Sequence, residues 1–205
     1  VITNPVDAMA MVCKKFSGAE FVISTGTSLE STRFRSKLAR VVDVPVTKVQ
    51  GWAGGEHGEA AVILWSQARV FGVPPEEYAS SREKWFDKAE IESYMKSISR
   101  VIIDGVGATE FGPAVAFVEI TRAIIDNTDQ IISVATPMSF GSIPEPVHVG
   151  CPVRLGWHMG PTLFDKLTVA EQKSLESAGG AIYATYQVAL SGLEGGKAES
   201  PSRPS

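Results

Sequence analysis

The spacing of apolar and polar positions predicts several helices. Apolar residues recur at helical intervals from Val6 to Phe16, and Ser17-Gly18 then provides a stop signal. From Leu29 to Val42 the apolar side chains can share one face, while arginine and lysine fill much of the rest. Further helices are predicted over 85–103, over 114–125 and from Thr168 to about 190, the last with Glu171 as capping-box partner of Thr168.

Short β-prone runs lie between these helices. Strands are predicted at 1–3, 21–24, 49–52, 61–65, 69–73, 130–135 and 147–155, with a hairpin-like turn region at 141–146. Pro74-Pro75 is predicted to open an irregular connector, and Gly105, Gly107 and Gly112-Pro113 are predicted to break or kink the helical region. Helices beside short strands, without strict βαβ alternation, predict an α+β fold with a mostly antiparallel sheet.

Composition narrows the class of protein. The 205 residues are 44% hydrophobic and 20% charged with a net charge of −4, which is typical of a globular protein and does not indicate nucleic acid as a partner. Apolar runs such as 60–64 are far too short to span a membrane. Cys13 and Cys151 form no disulfide framework, so a reducing, cytoplasmic setting and two structural thiols are expected. No Cys/His pair has ligand spacing, so no metal site is predicted.

A glycine-rich segment, 51–59, holds the first candidate for chemistry. It reads Gly-Trp-Ala-Gly-Gly-Glu-His-Gly-Glu and contains His57. Histidine accepts and releases a proton near neutral pH, and glycine lets a ligand approach the backbone closely. Taken alone, a histidine in such a turn is more often structural or solvated.

Two other segments carry candidate polar groups. Glu30 and Arg33 lie three residues apart, on one side of the predicted helix near its N-terminal end. The simpler interpretation is a solvated ion pair; the functional one is that Arg33 binds a substrate carboxylate and Glu30 accepts the N–H of a catalytic imidazole. Asn4, followed by Pro5, either makes a simple turn or aims its amide at a ligand at the end of a strand.

Taken in order, these segments resemble the lactate/malate dehydrogenase family. The matching motifs are Thr-Asn-Pro-Val-Asp at 3–7, Gly-Thr-Ser-Leu-Glu-Ser-Thr-Arg-Phe-Arg at 26–35 and Gly-Glu-His-Gly-Glu at 55–59. Gly-Ala-Thr-Glu-Phe-Gly-Pro-Ala at 107–114 and Val-Gly-Cys-Pro-Val-Arg-Leu-Gly at 149–156 follow. The resemblance extends to about residue 190, and its later part looks most like the lactate-dehydrogenase-like malate dehydrogenases.

The resemblance implies a role for each matching residue. His57 corresponds to the family's proton donor and acceptor, and Glu30 stands where the family usually has an aspartate as the partner of that histidine. Arg33 corresponds to the arginine that holds the substrate carboxylate. Asn4 corresponds to the asparagine that bonds the reacting oxygen beside the nicotinamide, so Asn4 and His57 are expected at the cofactor. Thr109 falls at a position that lines the substrate pocket.

The same resemblance implies a fold, a reaction and partners. The expected fold is the α+β substrate domain of the family at 21–190, preceded at 1–20 by the last strand and helix of the dinucleotide-binding domain and followed by a disordered tail at 191–205. The expected reaction is the reversible NAD- or NADP-dependent oxidation of a small 2-hydroxy acid, with malate favoured over lactate. The implied assembly is a homodimer or tetramer.

The family's N-terminal dinucleotide-binding half has no counterpart in this sequence. The nearest glycine pattern, Gly105-Val-Gly107, lacks its third glycine because position 110 is glutamate. Weak or no NAD binding and little activity are therefore expected of this chain alone. One alternative is a non-catalytic or truncated substrate-domain module, which an in-frame Gly-x-Gly-x-x-Gly upstream of Val1 would exclude. Another is a hydrolase that pairs His57 with Ser24, Ser28 or Ser31, although no Gly-x-Ser-x-Gly elbow exists.

Overall fold

The protein is described by a computed structural model for residues 5–58 and 60–196. Helices and strands alternate irregularly, and three single 3-10 turns lie at 46–48, 65–67 and 164–166. The elements are α1 (Val6–Ser17), α2 (Ser28–Val42), β1 (Val49–Gln50), β2 (Ala53–Gly54), β3 (Val62–Ile63), β4 (Arg69–Val70), α3 (Pro75–Ser81), α4 (Lys88–Val106), α5 (Phe111–Ile125), β5 (Gln130–Met138), β6 (Val147–Leu155), β7 (Met159–Thr162) and α6 (Val169–Gly196).

All strand pairs among these residues are antiparallel. The largest sheet has the order β5-β6-β7, and β5 pairs with β6 over nine residues, from Gln130 opposite Leu155 to Met138 opposite Val147. Two small ribbons, β1-β4 and β2-β3, complete the pairing. The predicted α+β class with a mostly antiparallel sheet is confirmed.

Three apolar clusters hold the helices on these strands. The first joins α1, α6 and β6 through side chains such as Met11, Tyr186 and Val149. The second buries Phe34 and Leu38 of α2 against the β1-β4 ribbon, α3 and α4, and the third packs α5 on β5 and β6. α2 therefore contacts both the other helices and the strands, which fixes the position of its buried side chains, Glu30 among them.

Local signals in the sequence account for several helix boundaries. Gly18 ends α1 in the left-handed region at φ 66°, where glycine has no steric penalty. At α6, the backbone N–H and the hydroxyl of Thr168 donate to Glu171 at 2.9 and 2.8 Å, and the Glu171 N–H donates to the Thr168 hydroxyl at 3.3 Å. The predicted capping box is confirmed.

Several local predictions were wrong. The connector after Pro74-Pro75 is not irregular, because Pro75 opens α3 at a first-turn position that needs no N–H donor. Gly107 ends α4 at φ 87°, so the predicted break in this helical region is confirmed there, whereas Gly105 lies inside α4 and Gly112-Pro113 lies in the first turn of α5. The run at 21–24 forms only a single bridge, from Ser24 to Ala135.

Two elements extend or add to the predicted pattern. β7 was not predicted, since a four-residue strand containing Gly160 and Pro161 has little β propensity and depends on pairing with β6. α6 continues to Gly196, so its last turns occupy the start of the predicted tail at 191–205. The predicted strand at 1–3 lies outside the described residues, and the division into 1–20, 21–190 and 191–205 stays a prediction.

Candidate active site

The glycine-rich segment is fixed to the main sheet immediately before His57. Gly55 and Gly150 of β6 exchange two backbone hydrogen bonds, both of 2.8 Å. Gly55 has φ 91°, a conformation that favours glycine. The chain then turns away from the sheet, and His57 is held two residues beyond this anchor.

The His57 imidazole faces the carboxylate of Glu30. Its Nδ1 lies 3.1 Å from Oε1 and 3.3 Å from Oε2 of Glu30, and the hydrogen bond is made with Oε2. The Glu30 side chain is only 3% exposed, whereas that of His57 is 23% exposed. Because Glu30 engages Nδ1, the other ring nitrogen, Nε2, remains for chemistry.

A second buried carboxylate, Asp7, holds the backbone at the same position. Asp7 Oδ2 accepts the His57 N–H at 2.9 Å, and Oδ1 accepts the Ser24 hydroxyl at 2.7 Å. Asp7 had no role in the sequence-based prediction. The available signal was its charge, which lies within the buried stripe of α1 beside Val6, Ala8 and Ala10.

These contacts set the protonation of the imidazole. The hydrogen bond that the imidazole donates to Glu30 raises the pKa of His57 above its ordinary value, with further contributions from the charges of Glu30 and Asp7 and from the Gly26 backbone. Burial opposes this increase. Burial also raises the pKa of Asp7, although its two hydrogen bonds work in the other direction.

Arg33 lies one turn beyond Glu30 on α2. Its Nη1 donates to the hydroxyl of Ser99 on α4 at 2.6 Å, and both side chains are half-buried. This bond uses one of five guanidinium N–H groups, so others remain for a ligand. Ser99 was not predicted, because its contact with Arg33 spans 66 residues.

One cavity of about 470 Å³ collects these groups. His57, Arg33 and Thr109 line it, together with Ser99, Glu56 and an apolar set: Pro5, Val6, Ala8, Leu29, Ile103 and Pro113. Burial raises the pKa of the Glu56 carboxyl above its ordinary value, and the charge of Asp7 adds to this effect. A cavity of this size, largely apolar with a few convergent polar groups, suits a small organic acid.

The predicted site residues are largely brought together. His57, Arg33 and Thr109 share the cavity, and Glu30 lies behind His57 in contact with its ring. Asn4 lies outside the described residues. The roles assigned to these five residues stay predictions.

The serines that the hydrolase alternative requires make no hydrogen bond to the imidazole of His57 in the described residues. The Ser24 hydroxyl donates to Asp7, and that of Ser31 donates to the Thr27 carbonyl at 2.7 Å. Within residues 5–58 and 60–196, no serine hydroxyl bonds a ring nitrogen of His57. A nucleophile–base pair, which this chemistry needs, is not formed by these serines.

The described residues fit only part of a nicotinamide cofactor. The cavity wall that includes Pro5, Val6 and Ala8 offers apolar surface beside His57, as a nicotinamide ring requires. No Gly-x-Gly-x-x-Gly turn is present in the sequence to hold a pyrophosphate.

The described part of the chain contains no cluster of three or more His, Cys, Asp and Glu side chains that could hold a metal ion. None of its helices has the length and apolar character needed to cross a membrane. Burial raises the pKa of the Cys151 thiol to about 12, in agreement with a structural role for that residue.

Comparison with known proteins agrees with the resemblance carried by the motifs. Residues 27–186 match the family described as lactate/malate dehydrogenase, alpha/beta C-terminal domain. The malate dehydrogenases of Sulfurisphaera tokodaii and Sulfolobus acidocaldarius are 39% and 38% identical to it, over 95% of this chain and 60% and 61% of their own lengths. L-lactate dehydrogenase 1 of Enterococcus faecalis is 30% identical over 97% of this chain and 62% of its own.

Solved structures show the same fold. A lactate dehydrogenase from a Medee basin deep-sea metagenome library matches with a TM-score of 0.81 at 29% identity, over 88% of this chain and 60% of that one. The lactate dehydrogenase of Cryptosporidium parvum, complexed with lactic acid and β-nicotinamide adenine dinucleotide, matches with a TM-score of 0.80 at 25% identity, over 91% of this chain and 61% of that one. The chain thus spans about 60% of the length of its curated relatives.

Proposed function

Since the chain belongs to the lactate/malate dehydrogenase family, we propose that the protein is an oxidoreductase that interconverts a small 2-hydroxy acid and its 2-oxo acid with NAD or NADP. The observation that carries this proposal is the arrangement of His57, Glu30 and Arg33. The imidazole is paired with a buried carboxylate, and a guanidinium lines the same cavity.

In this reaction His57 moves a proton at Nε2. The nicotinamide cofactor supplies the acceptor or donor of the hydride. In oxidation, neutral His57 takes the proton of the substrate hydroxyl; in reduction, protonated His57 polarises the 2-oxo group and donates its proton. Glu30 accepts the Nδ1–H and so fixes the tautomer that leaves Nε2 available.

The remaining predicted groups orient the substrate. Arg33 binds the substrate carboxylate through parallel N–H donors, and its bond to Ser99 limits the rotation of the guanidinium. Thr109, in the segment that links α4 to α5, contacts the substrate from the cavity wall. Asn4 bonds the reacting oxygen beside the cofactor. Fixing both ends of a small acid gives the hydride one path, which lowers the entropy cost of reaction.

We propose malate, interconverted with oxaloacetate, over lactate as the substrate. Two malate dehydrogenases are 39% and 38% identical to this chain, whereas the lactate dehydrogenase of E. faecalis is 30% identical. The active assembly is proposed to be a homodimer or tetramer in the cytoplasm, since the family resemblance implies the oligomer and the two cysteines form no disulfide framework. Light scattering on the purified protein measures the oligomeric state.

The test of the proposed function is NADH and NADPH consumption by the whole protein, followed at 340 nm with oxaloacetate or pyruvate. His57→Gln should lower turnover by about 10²–10⁴-fold, which is the usual contribution of general acid–base catalysis. His158→Gln is the matched control, since His158 is exposed. Full turnover in His57→Gln would refute the assignment, and a wild-type protein inactive on both oxo acids would favour the non-catalytic module.

Glu30→Gln tests the partner of the imidazole. The amide retains an acceptor oxygen for Nδ1–H but loses the charge that stabilises protonated His57. Turnover should therefore fall far more than the free energy of unfolding changes, while Glu77→Gln, on the exposed surface of α3, should alter neither. Equal turnover in Glu30→Gln and wild type would remove Glu30 from the mechanism.

A further inference from the structure

Asp7 is a carboxylate buried in a helix that otherwise presents apolar side chains to the core. It is 3% exposed, in the first turn of α1, and its neighbours Val6, Ala8 and Ala10 are also buried. A carboxylate in such surroundings is costly unless its oxygens are bonded. Its retention at this position therefore needs an explanation beyond packing.

The bonds of Asp7 run to the loop that carries the imidazole. A carboxylate near a helix N-terminus can stabilise the helix dipole, yet both Asp7 oxygens are engaged elsewhere. Oδ2 accepts the His57 N–H, and Oδ1 accepts the Ser24 hydroxyl, which itself accepts the Gly26 N–H at 3.2 Å. One side chain of α1 thereby connects the two loops that meet at the imidazole.

We propose that Asp7 is a positioning residue for His57. The Asp7 carboxylate fixes the backbone of the loop that carries His57, while Glu30 fixes the imidazole ring. This inference rests on the proposed function, because it concerns the same imidazole. Held at its N–H by Asp7 and at Nδ1 by Glu30, His57 is restrained at two points 50 and 27 residues away in sequence. A site held at two points keeps the reacting nitrogen within the small tolerance that catalysis needs.

Asp7 also acts on the charge of the imidazole. Its negative charge adds to the increase in the pKa of His57, after the larger effect of the hydrogen bond that the imidazole donates to Glu30. Two further charged groups line the cavity beside the imidazole: Glu56 in the same loop and Arg33 on α2. Removing the charge of Asp7 should therefore lower the pKa of His57, and by less than removing that of Glu30.

Two substitutions separate the charge from the hydrogen bonds. In Asp7→Asn, the amide oxygen can accept the His57 N–H, and the amide N–H can donate to the Ser24 oxygen, so both connections persist without the charge. Asp7→Ala removes both connections. Asp129→Asn is the matched control, because the Asp129 side chain is 62% exposed and pairs with Arg154 on the surface.

The measurement is the titration of His57 in ¹⁵N-histidine-labelled whole protein, with its signal assigned by His57→Gln. Alongside it, kcat and KM for reduction of the 2-oxo acid and the denaturant midpoint are recorded. We expect Asp7→Asn to lower the pKa of His57 by less than Glu30→Gln does, and Asp129→Asn to leave it unchanged. Asp7→Ala should lower kcat about 10- to 100-fold with a smaller change in KM.

The positioning role is overturned if Asp7→Ala changes only the denaturant midpoint, or if Asp7→Asn, which keeps both connections, loses as much kcat as Asp7→Ala. Should Asp7→Ala fail to fold, Asp7→Asn decides the question, because a loss of kcat as large as that in Glu30→Gln would show that charge and not connection is what matters. An unchanged His57 titration in Asp7→Asn overturns the charge effect of Asp7 alone. Failure of the proposed function is distinguishable, because it shows as full turnover in His57→Gln whatever the titration reports.

Discussion

Gly150→Ala tests whether the contact between Gly150 of β6 and Gly55 positions the loop that carries His57. Gly150 and Gly55 exchange two hydrogen bonds of 2.8 Å, and a Cβ at position 150 would stand 2.7 Å from both the Gly55 carbonyl oxygen and the Thr27 hydroxyl. Ordinary contact requires several tenths of an ångström more, so β6 and the Gly55 segment must separate. Overpacking of this kind costs about 1–3 kcal/mol, which for a chain of this length lowers the Tm by roughly 2–12 °C.

The same separation of β6 from the Gly55 segment should displace His57 and so lower turnover. Gly55 lies two residues before His57, and a displacement of about 1 Å at a reacting group can cost about 100-fold in rate. We therefore expect Gly150→Ala to lower both the Tm and kcat, measured by calorimetry and by NADH oxidation. Gly141→Ala is the control, since a Cβ there meets nothing within 4 Å. If Gly150→Ala and Gly141→Ala behave alike in both assays, the anchoring argument is wrong.

Two further predictions concern pH and the cofactor. Glu30 is the main cause of the raised pKa of His57. The kcat/KM for reduction of the 2-oxo acid should therefore decline only at pH values above the ordinary pKa of histidine, and kcat/KM for oxidation of the hydroxy acid should increase over the same pH interval. A pH profile unchanged in Glu30→Gln would contradict this. The stability of the fold should depend on pH in the same direction. The pair of His57 and Glu30 stabilises the fold fully at pH values below the pKa of His57 in the unfolded chain, and this contribution is lost as the pH rises through the pKa of His57 in the folded protein. Residues 1–205 alone should bind NAD weakly in calorimetry, since no Gly-x-Gly-x-x-Gly turn is present, and tight binding would refute that expectation.

The longer elements were predictable because local signals agree with their tertiary environment. α2 combines an apolar stripe with buried Phe34 and Leu38, and α6 begins at its capping box. β6 is a nearly continuous apolar run and is buried on both faces, as such runs usually are. By contrast, α3 is a seven-residue helix opened by Pro75, and its stability comes from packing Ala79 into the second cluster, which no local pattern reports.

The candidate site shows the same division. The sequence predicted Glu30 and Arg33 on one side of the same helix, and the resemblance of the motifs to the family linked both residues to His57. The bonds of Asp7 and Ser99 were not readable, because they join residues 50 and 66 positions apart. Such pairs depend on how α1 packs on α6 and β6 and on how α4 packs against α2, and a single sequence gives no measure of that packing.

The charge balance around the imidazole favours one protonation state. Asp7 and Glu30 are 3% and 2% exposed, and both contact His57. Glu30 accepts from the ring at Nδ1, whereas Asp7 accepts the backbone N–H of the same residue. Both carboxylates raise the pKa of His57, Glu30 more than Asp7, and burial opposes them. Under the proposed function, this shift favours the protonated imidazole that donates to a 2-oxo acid over the neutral imidazole that oxidation of the hydroxy acid needs.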